Sequence, residues 1–138
     1  MDYGSFAIGP LLAAAVAFML VGSMWYGPLF GKTWMTLSGH TMEKIAATPK
    51  NVMTRMYVGS LLAALGASYV LSLLIDATLM TTVSGGITLG IATALGFSCT
   101  AFASNYLFNQ KPLKLYVIDC GYQVVCLTIA GAILGGWR

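Results

Sequence analysis

Only eleven charged side chains are spread over the 138 residues, and they leave three long gaps. None lies between Asp2 and Lys32, between Arg55 and Asp76, or between Asp76 and Lys111. After Lys114 only Asp119 interrupts an apolar run that reaches Arg138. A helix rises about 1.5 Å per residue and the hydrocarbon layer of a bilayer is about 30 Å thick, so about 20 apolar residues cross it. Four segments have that length: Phe6 to Tyr26, Met53 to Ile75, Gly85 to Phe108 and Leu113 to Trp137. The expected fold is therefore all-α, an integral membrane four-helix bundle forming a single transmembrane domain over residues 1–138. A soluble fold is the poorer reading: 8% of the residues are charged, where a soluble domain carries about a quarter.

No Lys or Arg precedes the first apolar run, and that run exceeds the core of a cleavable signal peptide, so the first helix is expected to be retained. The formal net charge of +3 does not indicate a nucleic-acid partner, because the basic residues sit at helix ends and build no soluble basic face. Their distribution instead predicts topology. Lys32, Lys44, Lys50 and Arg55 lie between the first two spans, and Lys111 and Lys114 at the turn between the last two, against Arg138 alone on the other side. Basic loops stay cytoplasmic. The expectation is a multi-pass protein of a bacterial cytoplasmic (inner) membrane, with both termini outside.

Thr48 and Pro49 read as a helix start, Thr48 as the cap and Pro49 in the first turn. The segment between Gly27 and Thr48 alternates Phe30, Trp34, Met35, Leu37, Met42 and Ile45 with Lys32, Glu43 and Lys44. It is too short for a domain and predicts one or two short helices at the membrane interface. Trp25, Tyr26, Phe30 and Trp34 read as an interfacial aromatic belt. His40, the single histidine, reads as a solvated loop residue.

The stretch Met24-Trp25-Tyr26-Gly27-Pro28-Leu29-Phe30-Gly31-Lys32-Thr33-Trp34 resembles the signature of a bacterial family of small membrane proteins, catalogued as domain of unknown function 1761. Lys111-Pro112 and Ile118-Asp119-Cys120-Gly121-Tyr122 fit the same resemblance, which covers nearly the whole chain. It implies four helices in a bacterial membrane, and it carries no activity and no catalytic residues.

Asp119 stands inside the fourth span, about 9 Å from Leu113 along a regular helix. Intramembrane carboxyl groups are costly, face a bundle interior or a hydrated cavity, and mark ion or proton paths often enough to be functional candidates. Gln123, Cys126 and Ala130 share the face of Asp119, with Tyr116 and Tyr122 flanking it. Gly121, Thr128, Gly131 and Gly135 fall on the opposite side, so the fourth helix is expected to be packed on both sides, one of them available to another subunit. In the third span Gly90, Ala94, Ser98, Ala101 and Asn105 form a stripe, and Asn105 is the expected hydrogen-bond partner of Asp119. Small residues at Gly59, Ala63, Gly66 and Ala67 in the second helix, and at Gly86 and Gly90 in the third, are expected to serve internal packing first.

Cys99, Cys120 and Cys126 show no metal-site or disulfide spacing and read as small buried hydrophobes. No cofactor or metal set is indicated. With no Ser/His pair and no paired carboxylates in the spans, an enzyme is not expected. Two functions stay open: a non-enzymatic structural or accessory protein that binds a membrane or cytoplasmic partner, or a small transporter or channel component using Asp119. In both, the lipid bilayer surrounds the chain and a homo-oligomer is expected.

Overall fold

The computed structural model describes residues 8–137. Helix α1 (Ile8–Met24) continues through a wide π-type turn, Trp25–Leu29, into α2 (Gly31–Ser38) and the short α3 (Met42–Ala46). Then come α4 (Lys50–Thr78), α5 (Val83–Thr93), a π-type stretch Ala94–Cys99 that leads into α6 (Thr100–Phe108), and α7 (Leu113–Gly136). Four of the resulting helical segments, Ile8–Leu29, Lys50–Thr78, Val83–Phe108 and Leu113–Gly136, are long and apolar enough to cross a bilayer. The chain is a multi-pass, all-α membrane protein.

The boundaries follow the charge-free gaps, with instructive departures. The second span begins before Met53 and ends after Ile75; its 29 residues extend about 43 Å, more than the hydrocarbon thickness, so the turns carrying Lys50 and Arg55 reach past it or the helix tilts. Thr48 is not its cap. Pro49 holds that position in extended conformation (φ −60°, ψ 147°), while the Thr48 hydroxyl donates back to the Lys44 carbonyl at 3.1 Å and closes α3. The third span is capped by Thr82, whose hydroxyl accepts from the Gly85 N–H at 3.0 Å. The fourth stops at Gly136, one residue short of the expected Trp137. Phe6 lies outside the described residues.

α7 is the central helix. Against one side lies α1, and against the other α5, the most extensive helix pair in the molecule. Small residues make that pair possible. A Cβ on Gly86 would collide with the Gly131 carbonyl oxygen, and one on Gly90 with the Leu127 carbonyl oxygen. Glycine on both helices thus lets the backbones touch, the usual source of helix affinity where lipid is as apolar as leucine. The rest of the core is built from Ala14, Ala15, Phe18, Ala64, Leu71, Ile75, Ala94, Cys126, Leu127, Ala130 and Leu134. Both sides of α7 are thus covered within one chain.

The second helix departs from expectation. Its buried residues, Ala64, Ser68, Leu71, Ser72 and Ile75, all lie in its later half. From Thr54 to Ala63 every residue is exposed, a length of about 15 Å. Gly59, Ala63 and Gly66 face away from the bundle, and a Cβ at Gly59 or Gly66 would meet nothing within 4 Å. Internal packing therefore uses Gly86, Gly90 and, in α4, Ala67, which packs against the core, but not Gly59, Ala63 or Gly66: the first two precede the point where α4 joins the bundle, and Gly66 is exposed on its outer face.

Candidate functional site

The site begins with a break in the first span. Pro28 has no N–H to return to Met24, and Gly27 leaves helical geometry (φ −106°, ψ −105°), as a proline inside a helix requires. The Phe30 N–H donates to the Trp25 carbonyl at 2.8 Å and closes a wide turn. Gly31 follows at a point where a Cβ would lie 2.6 Å from the Tyr26 carbonyl oxygen, so a larger residue could enter only by moving the backbone. The turn leaves the Trp25 and Tyr26 side chains directed at α7.

There the two sequence motifs meet each other. The Tyr26 hydroxyl donates to Asp119 Oδ1 at 2.6 Å, and the Trp25 indole N–H donates to the Ile118 carbonyl at 2.9 Å. Gly121 opens the space for that indole: a Cβ there would lie 2.9 Å from a Trp25 ring carbon. Tyr122 places its ring against Tyr26, centroids 5.2 Å apart, and its hydroxyl donates to the Phe18 carbonyl at 3.2 Å. The first motif and the Ile118–Tyr122 segment are thus two halves of one contact between spans one and four.

The third span completes it. The Tyr106 hydroxyl donates to Asp119 Oδ2, so each carboxyl oxygen takes a phenol, one from span one and one from span three. Tyr116 donates from α7 to the Cys99 carbonyl at 2.9 Å and stands edge-on to Tyr106 at 5.8 Å. Lys111 carries its ammonium 4.7 Å from the Tyr106 ring centroid, within cation–π range. Asp119 is a node that binds three spans.

Asn105 is not its partner. It is exposed, and its amide oxygen accepts from Asn109 at 3.2 Å. The physical reason is the π-type stretch Ala94–Cys99: a π turn inserts about one extra residue, so the position that Asn105 would hold on an uninterrupted helix passes to Tyr106. Ser98 lies half-buried inside that stretch, and Gln123 half-buried one turn beyond Asp119. The aromatic motif divides. Trp25 and Tyr26 turn into the bundle, Phe30 packs on Trp25 at 4.7 Å, and Trp34 meets Tyr26 edge-on at 5.6 Å. Trp34 also stacks with His40 at 4.8 Å, whose Nδ1 shares a hydrogen bond with Ser38.

Sequence reasoning missed Tyr106 altogether, placed Tyr116 beside Asp119 without its bond to Cys99, and assigned Trp25 and Tyr26 to the headgroup belt. The available signal was chemical: a carboxyl group in a span needs donors, and tyrosines flanked it in the third and fourth spans. Cys99, Cys120 and Cys126 are buried and unlinked. Among the described residues no three His, Cys, Asp or Glu side chains are grouped to hold a metal.

No curated protein and no solved structure matches the chain. A family model does match it, from residue 10 to residue 135, a stretch that contains both halves of the Trp25/Tyr26–Asp119 contact. The chain belongs to the family described as protein of unknown function, DUF1761.

Proposed function

We propose that this chain is a non-enzymatic structural or accessory protein of the bacterial cytoplasmic membrane, in which Asp119 ties spans one, three and four together. One observation carries the reading: both carboxyl oxygens of Asp119 accept from tyrosine hydroxyls of neighbouring spans. A carboxyl group that must load and release an ion or proton is better served by an open, hydrated face. The test is Asp119→Asn, expressed in cells lacking the native copy. An asparagine keeps one acceptor for Tyr26, and its amide can donate to the Tyr106 oxygen. Full function is expected. Loss of function with normal amounts of folded protein contradicts the structural role and favours a transport or channel role for Asp119.

The orientation proposed is cytoplasmic for α2, α3 and the Lys111 turn, on the six-to-one split of Lys and Arg. All three native cysteines are buried, so added ones report cleanly. Ala47→Cys should resist an impermeant thiol reagent applied to intact cells, and Thr81→Cys should react. Labelling of Ala47→Cys alone reverses the topology.

Self-association is part of the same proposal and rests on α4. Its outer face carries Gly59, Ala63 and Gly66 away from the bundle, where small residues allow a second helix close approach. Native mass spectrometry from mild detergent should find dimers or higher oligomers of the wild type and monomers of Gly59→Leu/Ala63→Leu. A monomeric wild type over a wide concentration range removes this part of the proposal.

A further inference from the structure

A cleft of ≈ 180 Å³ opens where the third and fourth spans end, lined by Ala103, Tyr106, Leu107, Lys111, Leu113 and Tyr116. Its walls are methyl, isobutyl and aromatic ring surfaces, and its charge is Lys111, held over the Tyr106 ring. Lys114 is exposed on the first turn of α7. No acidic residue falls between Asp76 and Asp119 in the sequence, and Asp119 sits behind Tyr106, bound by its hydroxyl. The one charged side chain of its lining is thus basic and the walls apolar, at the end of two spans where headgroups lie.

We propose that this cleft is a binding site for an anionic phospholipid, its acyl chain against Ala103, Leu107 and Leu113 and its phosphate at Lys111. Basic pockets between spans are suited to acidic headgroups. A free phosphate would gain nothing from the apolar walls, and a zwitterionic lipid would bring its own cation toward Lys111 and Lys114. The inference rests on the chain being a membrane protein and not on the role proposed for Asp119.

The full-length protein would be transferred from nanodiscs of equal phosphatidylglycerol and phosphatidylcholine into native mass spectrometry, and the lipids retained per chain counted. Preferential retention of phosphatidylglycerol is expected. Lys111→Gln should lower that retention about fivefold, the effect of one basic residue near an acidic headgroup, while Lys111→Arg keeps most of it. Ala103→Trp, which fills the cleft, should remove retained lipid of both kinds. Inorganic phosphate should not displace the lipid, and Asp119→Asn should still retain it. Equal retention of the two lipids, or phosphatidylglycerol retention unchanged by both Lys111→Gln and Ala103→Trp, overturns the site; displacement by inorganic phosphate shows a phosphate site in place of a lipid site.

Discussion

Leucine at Gly86 or Gly90 is expected to separate α5 from α7 and to leave four inserted helices without a fixed bundle. Even a methyl group at these positions would overlap the carbonyl oxygens of Gly131 and Leu127, which are backbone atoms and cannot rotate away. Overpacking a tight core costs about 1–3 kcal/mol when side chains can adjust, and more when backbone must move. The loss is hard to recover in a bilayer, because helix association there depends on close packing and hydrogen bonds more than on escape from water. Each span is still apolar enough to stay inserted, so far-UV circular dichroism should change little. Near-UV signals from the tyrosines and tryptophans at the α1–α7 contact should be lost, and thermal unfolding in detergent should lose its cooperativity. Gly96→Leu is the internal control, since nothing lies within 4 Å of a Cβ at that position and it stands outside the α4 face assigned to self-association. Equal unfolding of Gly96→Leu and Gly86→Leu would show that the α5–α7 contact does not hold the fold.

Asp119→Leu is expected to be the next most damaging change, by about 2–4 kcal/mol. It removes two interhelical hydrogen bonds, each worth on the order of 1 kcal/mol in a membrane, and leaves the hydroxyls of the half-buried Tyr26 and Tyr106 beside an alkyl chain, where an unmet polar group costs up to about 1–3 kcal/mol. Tyr26→Phe and Tyr106→Phe each remove one donor and leave the carboxyl group the other, so each should cost less than Asp119→Leu. Asp119→Asn should cost least. The ordering is read from unfolding midpoints in one detergent at one pH. A leucine variant as stable as wild type, or an asparagine variant as unstable as the leucine one, would contradict the tie.

The order of these effects reflects what the chain makes legible. The spans could be read because charges are excluded from lipid, and eleven charges in 138 residues leave few alternatives. The bend after Met24 was marked by Gly27 and Pro28, two residues with a known backbone consequence. The partner of Asp119 was not marked. Ala94–Cys99 contains neither proline nor any other residue that announces a π turn, so a register counted from Gly90 placed Asn105 where Tyr106 stands. The small-residue stripes were equally visible in α4 and α5. Which one meets another helix depends on how far α4 runs alongside the bundle, and a single sequence holds no record of that contact. Trp25 and Tyr26 were hidden for a further reason: a span-end aromatic suits the headgroup layer and an inward hydrogen bond alike.

Two motifs far apart in the chain nevertheless share one physical purpose. Gly31 and Gly121 are small because Tyr26 and Trp25 need their places, and Tyr122 joins the same cluster through its ring and hydroxyl. A bundle this short of charge and hydrogen-bonding side chains gains its specificity from such a node, since uniform apolar packing alone distinguishes poorly between helix registers. The decisive measurement is a map of the protein in lipid at a resolution that shows ordered water. The account predicts the Asp119 carboxyl group enclosed by the Tyr26 and Tyr106 hydroxyls, with no water on either oxygen. A carboxyl group opening onto a file of waters, with either tyrosine turned away, would contradict it.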